Sequence, residues 1–231
     1  MPSVRALDSV STTARDLPRA IPACVRLRQS FFARDTLVVA RALLGQELRH
    51  GPVRLRITET EAYTADDSAC HAHRGRTKRS AVMFGPPGRA YVYLCYGIHQ
   101  MLNIVTEPAE RAAAVLVRAC EPLAGLDLVR ERRGGKAGPV LLTGPGKVGA
   151  ALALDTSWTG HPLYAAGGLE AHVGDAPAAI LRGPRVGIDY AEPADRDAPW
   201  RFAIAGSRWV SQRASLRPET EAETRAAQAA L

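Results

Sequence analysis

Glu59 and Glu61 stand two residues apart at the end of the alternating run Val53-Arg54-Leu55-Arg56-Ile57-Thr58. On a continuing strand, side chains at i and i+2 share a face, so both carboxylates could orient a water, accept a proton or bind a cation. A solvated strand face would give the same pattern, because Glu is mostly an exposed residue. Asp66, Asp67, His71 and His73 follow closely. Carboxylate and imidazole donors suit divalent ions, so the six side chains also read as the cluster of a metal-dependent nuclease. Their spacing matches no specific ligand motif, and His71-Ala72-His73 is equally an ordinary polar loop.

The stretch from His71 to Arg89 carries Arg74, Arg76, Lys78, Arg79 and Arg89 without an acidic residue, and closes on Gly85-Pro86-Pro87-Gly88. A basic loop of this kind either solubilises a surface or meets phosphates. The whole chain agrees in sign: 30 Lys plus Arg against 23 Asp plus Glu give +7, which favours a polyanionic partner, nucleic acid or an anionic membrane surface. No apolar run approaches the roughly 18–20 residues of a membrane span, and Met1 to Leu27 lacks the apolar core of a signal peptide, so a soluble cytoplasmic protein is expected. The four cysteines, Cys24, Cys70, Cys95 and Cys120, are too scattered for a zinc or iron–sulfur motif and are expected to be reduced. Thr143-Gly144-Pro145-Gly146-Lys147 fails as a P-loop, since Leu141 and Val148 occupy the positions needing Gly and Ser or Thr, but Lys147 near a helix start can still meet an anion.

The positioning elements follow from periodicity and punctuation. A helix is predicted over 30–45, with Asp35 as a possible N-cap and Gly45 as its stop. Residues 53–63 read as a strand. Tyr91–Tyr96 and Met101–Val105, interrupted by Gly97-Ile98-His99, read as a hairpin with Tyr96 and Ile98 at its tip. Tyr91 and Tyr93, taken alone, read as core aromatics. A third strand is expected over 113–120, then a helix over 123–133 stopped by Gly134-Gly135, a helix from Thr143 to Leu154, and short strands within 178–188 and 201–204. Residues 1–27 form a lead-in, 28–213 the functional domain and 214–231 a polar tail. With 46% hydrophobic residues a sizeable core is available. The expected architecture is one mixed α+β domain: a curved, largely antiparallel sheet, a protruding hairpin and flanking helices.

Several long strings, in order, carry a resemblance: FFARDTLVVARALLGQEL, ITETEAY, RGRTKR, VMFGPPGRAYVYLCYGIHQMLNIV, AVLVRACEPLAGL, LTGPGKVGAALAL, GPRVGI and RFAIAGSRWVS. From Phe31 to Ser211 the chain resembles the alkyladenine DNA glycosylases, also called mammalian-type 3-methyladenine DNA glycosylases. The resemblance implies a monofunctional enzyme without metal or cofactor. It would bind double-stranded DNA through the minor groove as a monomer and release alkylated or deaminated purines (3-methyladenine, 7-methylguanine, hypoxanthine-like), leaving an abasic site. Glu61 falls on the general base that activates water and Arg118 on the arginine beside that water. Tyr63, His71 and Tyr93 fall on the pocket around the flipped base, Asn103 on its floor and Tyr96 on the intercalating wedge. Arg74, Arg76, Lys78, Arg79 and Lys147 are the expected phosphate contacts, and Glu59 remains a supporting residue. Ile98 and His99 depart from the methionine and tyrosine expected at the hairpin tip. Besides the glycosylase, the metal-dependent nuclease built on Glu59, Glu61, Asp66, Asp67, His71 and His73 and a non-catalytic lesion-binding protein stay open.

Overall fold

The computed structural model describes residues 25–229, so most of the expected lead-in lies outside the described residues. Nine strands form one sheet: β1 (Glu47–His50), β2 (Val53–Tyr63), β3 (Ala90–Cys95), β4 (His99–Val105), β5 (Ala114–Ala124), β6 (Leu169–His172), β7 (Ile180–Gly183), β8 (Arg201–Ile204) and β9 (Arg217–Pro218). The order is β3-β4-β5-β2-β8-β7-β9, with β1 pairing with β2 and β6, and every pairing is antiparallel. The helices are short: α1 (Gln29–Phe32), α2 (Thr36–Ala42), α3 (Leu126–Arg132), α4 (Pro145–Ala151), α5 (Pro193–Arg196) and α6 (Glu221–Ala229). This is the expected α+β class, with a sheet that stays open.

Alternation along the central strands divides the apolar residues between two faces. Leu55, Ile57, Leu102, Ile104, Val115 and Val117 pack with Val39 and Leu43 from the α2 region and Val148 and Leu152 from the α4 region, forming the main core. Residues of opposite parity, Tyr91, Val105 and Ala114, join Cys70 and Met83 in a smaller cluster. Both faces of β4 and β5 are thus buried, which leaves those strands little freedom to shift register.

Where the sequence expectation and the structure differ, the reason is local. The helix expected over 30–45 is two helices, because Asp35 caps α2 by accepting from Leu37 N (2.9 Å) and Val38 N (3.1 Å). A capping residue takes an extended backbone, here ψ 139°, and that ends any helix before it. β5 runs through Pro122 to Ala124 where a helix was expected from Leu123, since β2 continues beside it as far as Arg54. β1 and β6 were not predicted. Three of the four residues of β1 are polar, and Glu47 pairs with Arg49 and Arg54 along it, which hides the apolar alternation. After Arg217 the polar segment contributes β9 and α6, held by ion pairs of Arg41 with Glu219 and of Arg182 with Glu223.

Two features aim the functional residues. Between β2 and β5 the register slips three times, once at Arg54/Leu55 and twice in succession near the acids: Ile57 faces Cys120, Glu59 faces Ala119 and Thr60 faces Val117. Thr58 and Arg118 are therefore the extra residues of back-to-back bulges, a device that turns a side chain out of its regular alternation. The hairpin of β3 and β4 turns at Tyr96 (φ 49°) and Gly97 (φ 72°), closed by Ile98 N–H donating to Cys95 O at 3.2 Å. Tyr96 is 89% exposed and Ile98 74%. A tyrosine in left-handed backbone costs about 1 kcal/mol.

Next to that turn β4 is backed by α4, whose Gly149 lies on the backbone of Gln100: a Cβ there would stand 2.1 Å from Gln100 O. Inside a helix Gly to Ala normally stabilises by about 0.5–1 kcal/mol. Gly149→Ala should invert that sign and destabilise by about 1–3 kcal/mol as α4 is pushed off β4, read as a lower urea midpoint. A higher midpoint would show that the contact yields freely.

Candidate active site

Glu59 and Glu61 do share one face of β2, and both are fully buried rather than solvated. Arg118 lies between them, its Nε 3.2 Å from Glu59 Oε1 and its Nη1 3.3 Å from Glu61 Oε1. The two carboxylates nevertheless live in different surroundings. Glu59 accepts from Arg201 Nη1 (3.0 Å), Ser211 N (2.7 Å) and Ser211 Oγ (2.9 Å). Burial still pushes its carboxyl above the ordinary range, against the pull of these donors and of Arg118. Arg201, also fully buried, further donates to Pro184 O (2.9 Å) and Ser215 Oγ (2.6 Å). Glu61 has fewer donors: Tyr63 OH reaches Oε2 at 2.9 Å and Val186 N reaches Oε1 at 2.9 Å.

Arg118 and Tyr63 form one wall of a cleft of about 540 Å³ that opens beside the hairpin. His71, Tyr91, Tyr93 and Asn103 line its depth, and Tyr96 and Tyr190 stand at its mouth. The volume suits a single heterocyclic base with its sugar. Tyr63 is backed by Arg185, whose Cζ lies 4.7 Å from the ring centroid and whose guanidinium is clamped by Asp67. Burial, and then the neighbouring Glu61, push the Tyr63 phenol well above its ordinary value, so it stays a hydrogen-bond donor. The His71 ring meets Tyr93 edge-on at 4.6 Å, and its Nδ1 lies 2.8 Å from Tyr91 OH. Burial, with Arg79 adding to it, lowers the His71 pKa to about 4. Asn103 uses Nδ2 to donate to Tyr91 O at 3.2 Å.

The pocket residues expected from the sequence thus come together around one cleft. The basic residues do not all behave as one group. Arg74, Arg76, Lys78 and Arg79 are exposed, as phosphate contacts require. Arg76, however, pairs with Glu110 at 2.6 Å and lies over Phe84, while Arg79 leans into the cleft over Tyr93. Lys147 is half-buried on α4; burial and then the charges of Arg133 and Lys136 lower its pKa. Tyr91, whose pattern alone does not decide between core and cleft, is buried and also lines the cleft.

The acid–His cluster of the nuclease reading is not assembled. Asp67 is locked to Arg185, Asp66 and His73 face solvent, and Glu59 and Glu61 are engaged by arginines. Among the described residues no group of three or more His, Cys, Asp or Glu is placed to hold a metal ion. Nor is any described helix long and apolar enough to cross a membrane. Sequence reasoning missed Val186 N, Ser211, Arg201 and Tyr190, which reach the site from distant segments. The strings GPRVGI and RFAIAGSRWVS bracket three of them, and nothing in either string marks a contact to Glu59 or Glu61.

A buried carboxylate thus stands behind an aromatic cleft beside a projecting hairpin. Residues 30–208 match the model of the methylpurine-DNA glycosylases, and the chain belongs to that family. It is 59% identical over 192 residues to a protein of Nitrosococcus oceani named for 3-methyladenine DNA glycosylase activity, covering 83% of this chain and 96% of the relative. A DNA-3-methyladenine glycosylase of Arabidopsis thaliana is 55% identical over 183 residues, 78% of this chain and 72% of the relative. The protein is therefore a DNA glycosylase, a hydrolase whose substrate is DNA.

The depressed His71 carries a stability consequence. Its folded pKa is about 4 against an ordinary 6.5, so the unfolded imidazole takes up a proton that the folded one refuses. Its share of stability is whole above pH 6.5 and is lost as pH falls toward 4. His71→Gln should flatten the fall of the urea midpoint across that window; an unaltered slope would place the loss on other groups.

Proposed function

We propose that the enzyme releases alkylated and deaminated purines from double-stranded DNA, acting as a monomer on the genome in the cytoplasm, and that it leaves an abasic site without cutting the strand. The observation that carries this is the contrast between the two buried carboxylates. Glu59 is saturated by Arg201 and Ser211, whereas Glu61 is held by three donors at the wall of the base-sized cleft. Breaking a glycosidic bond passes through an oxocarbenium-like state, which an ionised carboxylate stabilises while orienting water for attack at C1′.

Glu61 has no exposed surface in the free protein, so a water must be admitted to it. The 3.3 Å contact of Arg118 Nη1 with Glu61 Oε1 is the place: a water inserted there donates to the carboxylate and accepts from the guanidinium. Tyr63 OH meanwhile fixes the other oxygen. The target nucleotide leaves the duplex, Tyr96 fills its place in the stack, and the base lies against Tyr63 on one side and His71 with Tyr93 on the other. Asn103, on the floor, opposes the 2-amino group of an undamaged guanine. Arg74, Lys78 and Lys147, with Arg76 once it releases Glu110, neutralise backbone phosphates. Methylated purines carry positive charge and depart readily, so one carboxylate is enough for them.

A duplex with one hypoxanthine or N-methylpurine tests this reading: free base should appear in EDTA, with strand scission only after alkali. Glu61→Gln should slow release by about 10²–10⁴-fold while the lesion duplex still binds. Release at an unchanged rate would remove Glu61 as the base, and scission lost in EDTA would favour a nuclease. Tyr96→Ser should weaken lesion binding about tenfold or more, the worth of one stacked aromatic. Equal affinities would mean that another residue fills the gap.

A further inference from the structure

The side chains lining the cleft include two permanent cations, Arg79 and Arg118, and no carboxylate. Arg118 is spent on Glu59 and Glu61. Arg79 has no acidic partner among the described residues. Its Cζ lies 4.7 Å from the Tyr93 ring centroid, on an aromatic that lines the same cleft. It is also near enough to influence the Tyr91 hydroxyl and to oppose protonation of His71. A guanidinium presents five in-plane N–H donors, and those beyond its hydrogen bond to the Tyr91 hydroxyl suit the acceptor edge of a purine.

We infer that Arg79 is a catalytic residue for uncharged lesions: its guanidinium donates to the N7/O6 edge of a departing neutral purine. This deepens the glycosylase reading and rests on it. When the C1′–N9 bond of a hypoxanthine nucleotide breaks, both electrons go to the purine, which leaves as an anion. The water oxygen bonds to C1′ and its proton passes to Glu61, and the purine anion afterwards takes a proton from solvent. Negative charge grows on the purine during bond cleavage, where a cation already in place stabilises it without reorganising. An N-methylated cationic purine leaves as a neutral molecule. Arg79 has no anion to stabilise there. The cleft is thereby biased toward neutral lesions, the class that needs help in leaving, and the cationic class relies on its own lability.

The test is single-turnover release at saturating protein from duplexes carrying hypoxanthine or 7-methylguanine, for the wild type, Arg79→Gln and Arg79→Lys. Arg79→Gln should slow hypoxanthine release about tenfold or more, leave 7-methylguanine within about twofold, and so reverse the preference; Arg79→Lys, which keeps the charge, should retain most of the hypoxanthine rate. The salt dependence of duplex binding should be unchanged. Equal slowing on both lesions, or a salt slope lowered by about one, would overturn the inference and make Arg79 a phosphate contact. An unchanged hypoxanthine rate would overturn it as well. A wild type that releases neither base would refute the glycosylase reading instead, so the two failures are distinct.

Discussion

The site depends on one buried arrangement: a guanidinium from β5 held between two carboxylates of the neighbouring strand β2. Two anions on the same face of β2, both without solvent, would repel strongly unless a cation stood between them. Arg118 supplies it from β5, and the bulge that leaves Arg118 unpaired in the ladder is what lets it stand there. Arg201 and Ser211 then take up the remaining capacity of Glu59. An orphaned charge at this depth would cost several kcal/mol, so the network couples folding to the presence of every member. Glu59 thus helps to hold Arg118 in place beside Glu61.

The surrounding aromatic cleft follows a similar economy of placement. Each of the three deeper tyrosines, Tyr63, Tyr91 and Tyr93, performs a packing task on one side and faces the cleft on the other. Tyr63 rests on Arg185 and holds Glu61, Tyr91 holds His71 and belongs to the smaller core, and Tyr93 carries Arg79. The rings are therefore held by their neighbours in the free protein. His71 stays neutral for the same reason that the rings are rigid: its surroundings are largely closed to water.

What could be read from the sequence was what neighbouring residues decide. The alternation of β2, the hairpin with its exposed Tyr96, the cap at Asp35 and Pro145 in the first turn of α4 all rest on local chemistry, and all are present. The resemblance placed Glu61, Arg118 and the pocket aromatics on one site because ordered strings carry more than spacing can. Partners brought from other segments were hidden. Glu59 and Glu61 looked alike, and only the arrival of Arg201, Ser211 and Val186 tells them apart. Arg79 looked like any residue of its basic run until the loop folded it over Tyr93.

The hairpin tip has a consequence beyond its contacts. Its turn is set by two consecutive left-handed residues and one backbone hydrogen bond, and α4 supports the strand beside it at His99 and Gln100, so neither Ile98 nor the ring of Tyr96 is needed to keep its shape. Form and occupant are separable there. A substitution at Ile98, 74% exposed, can therefore change the surface that the tip presents and leave the buried charge network of Glu59, Glu61 and Arg118 untouched.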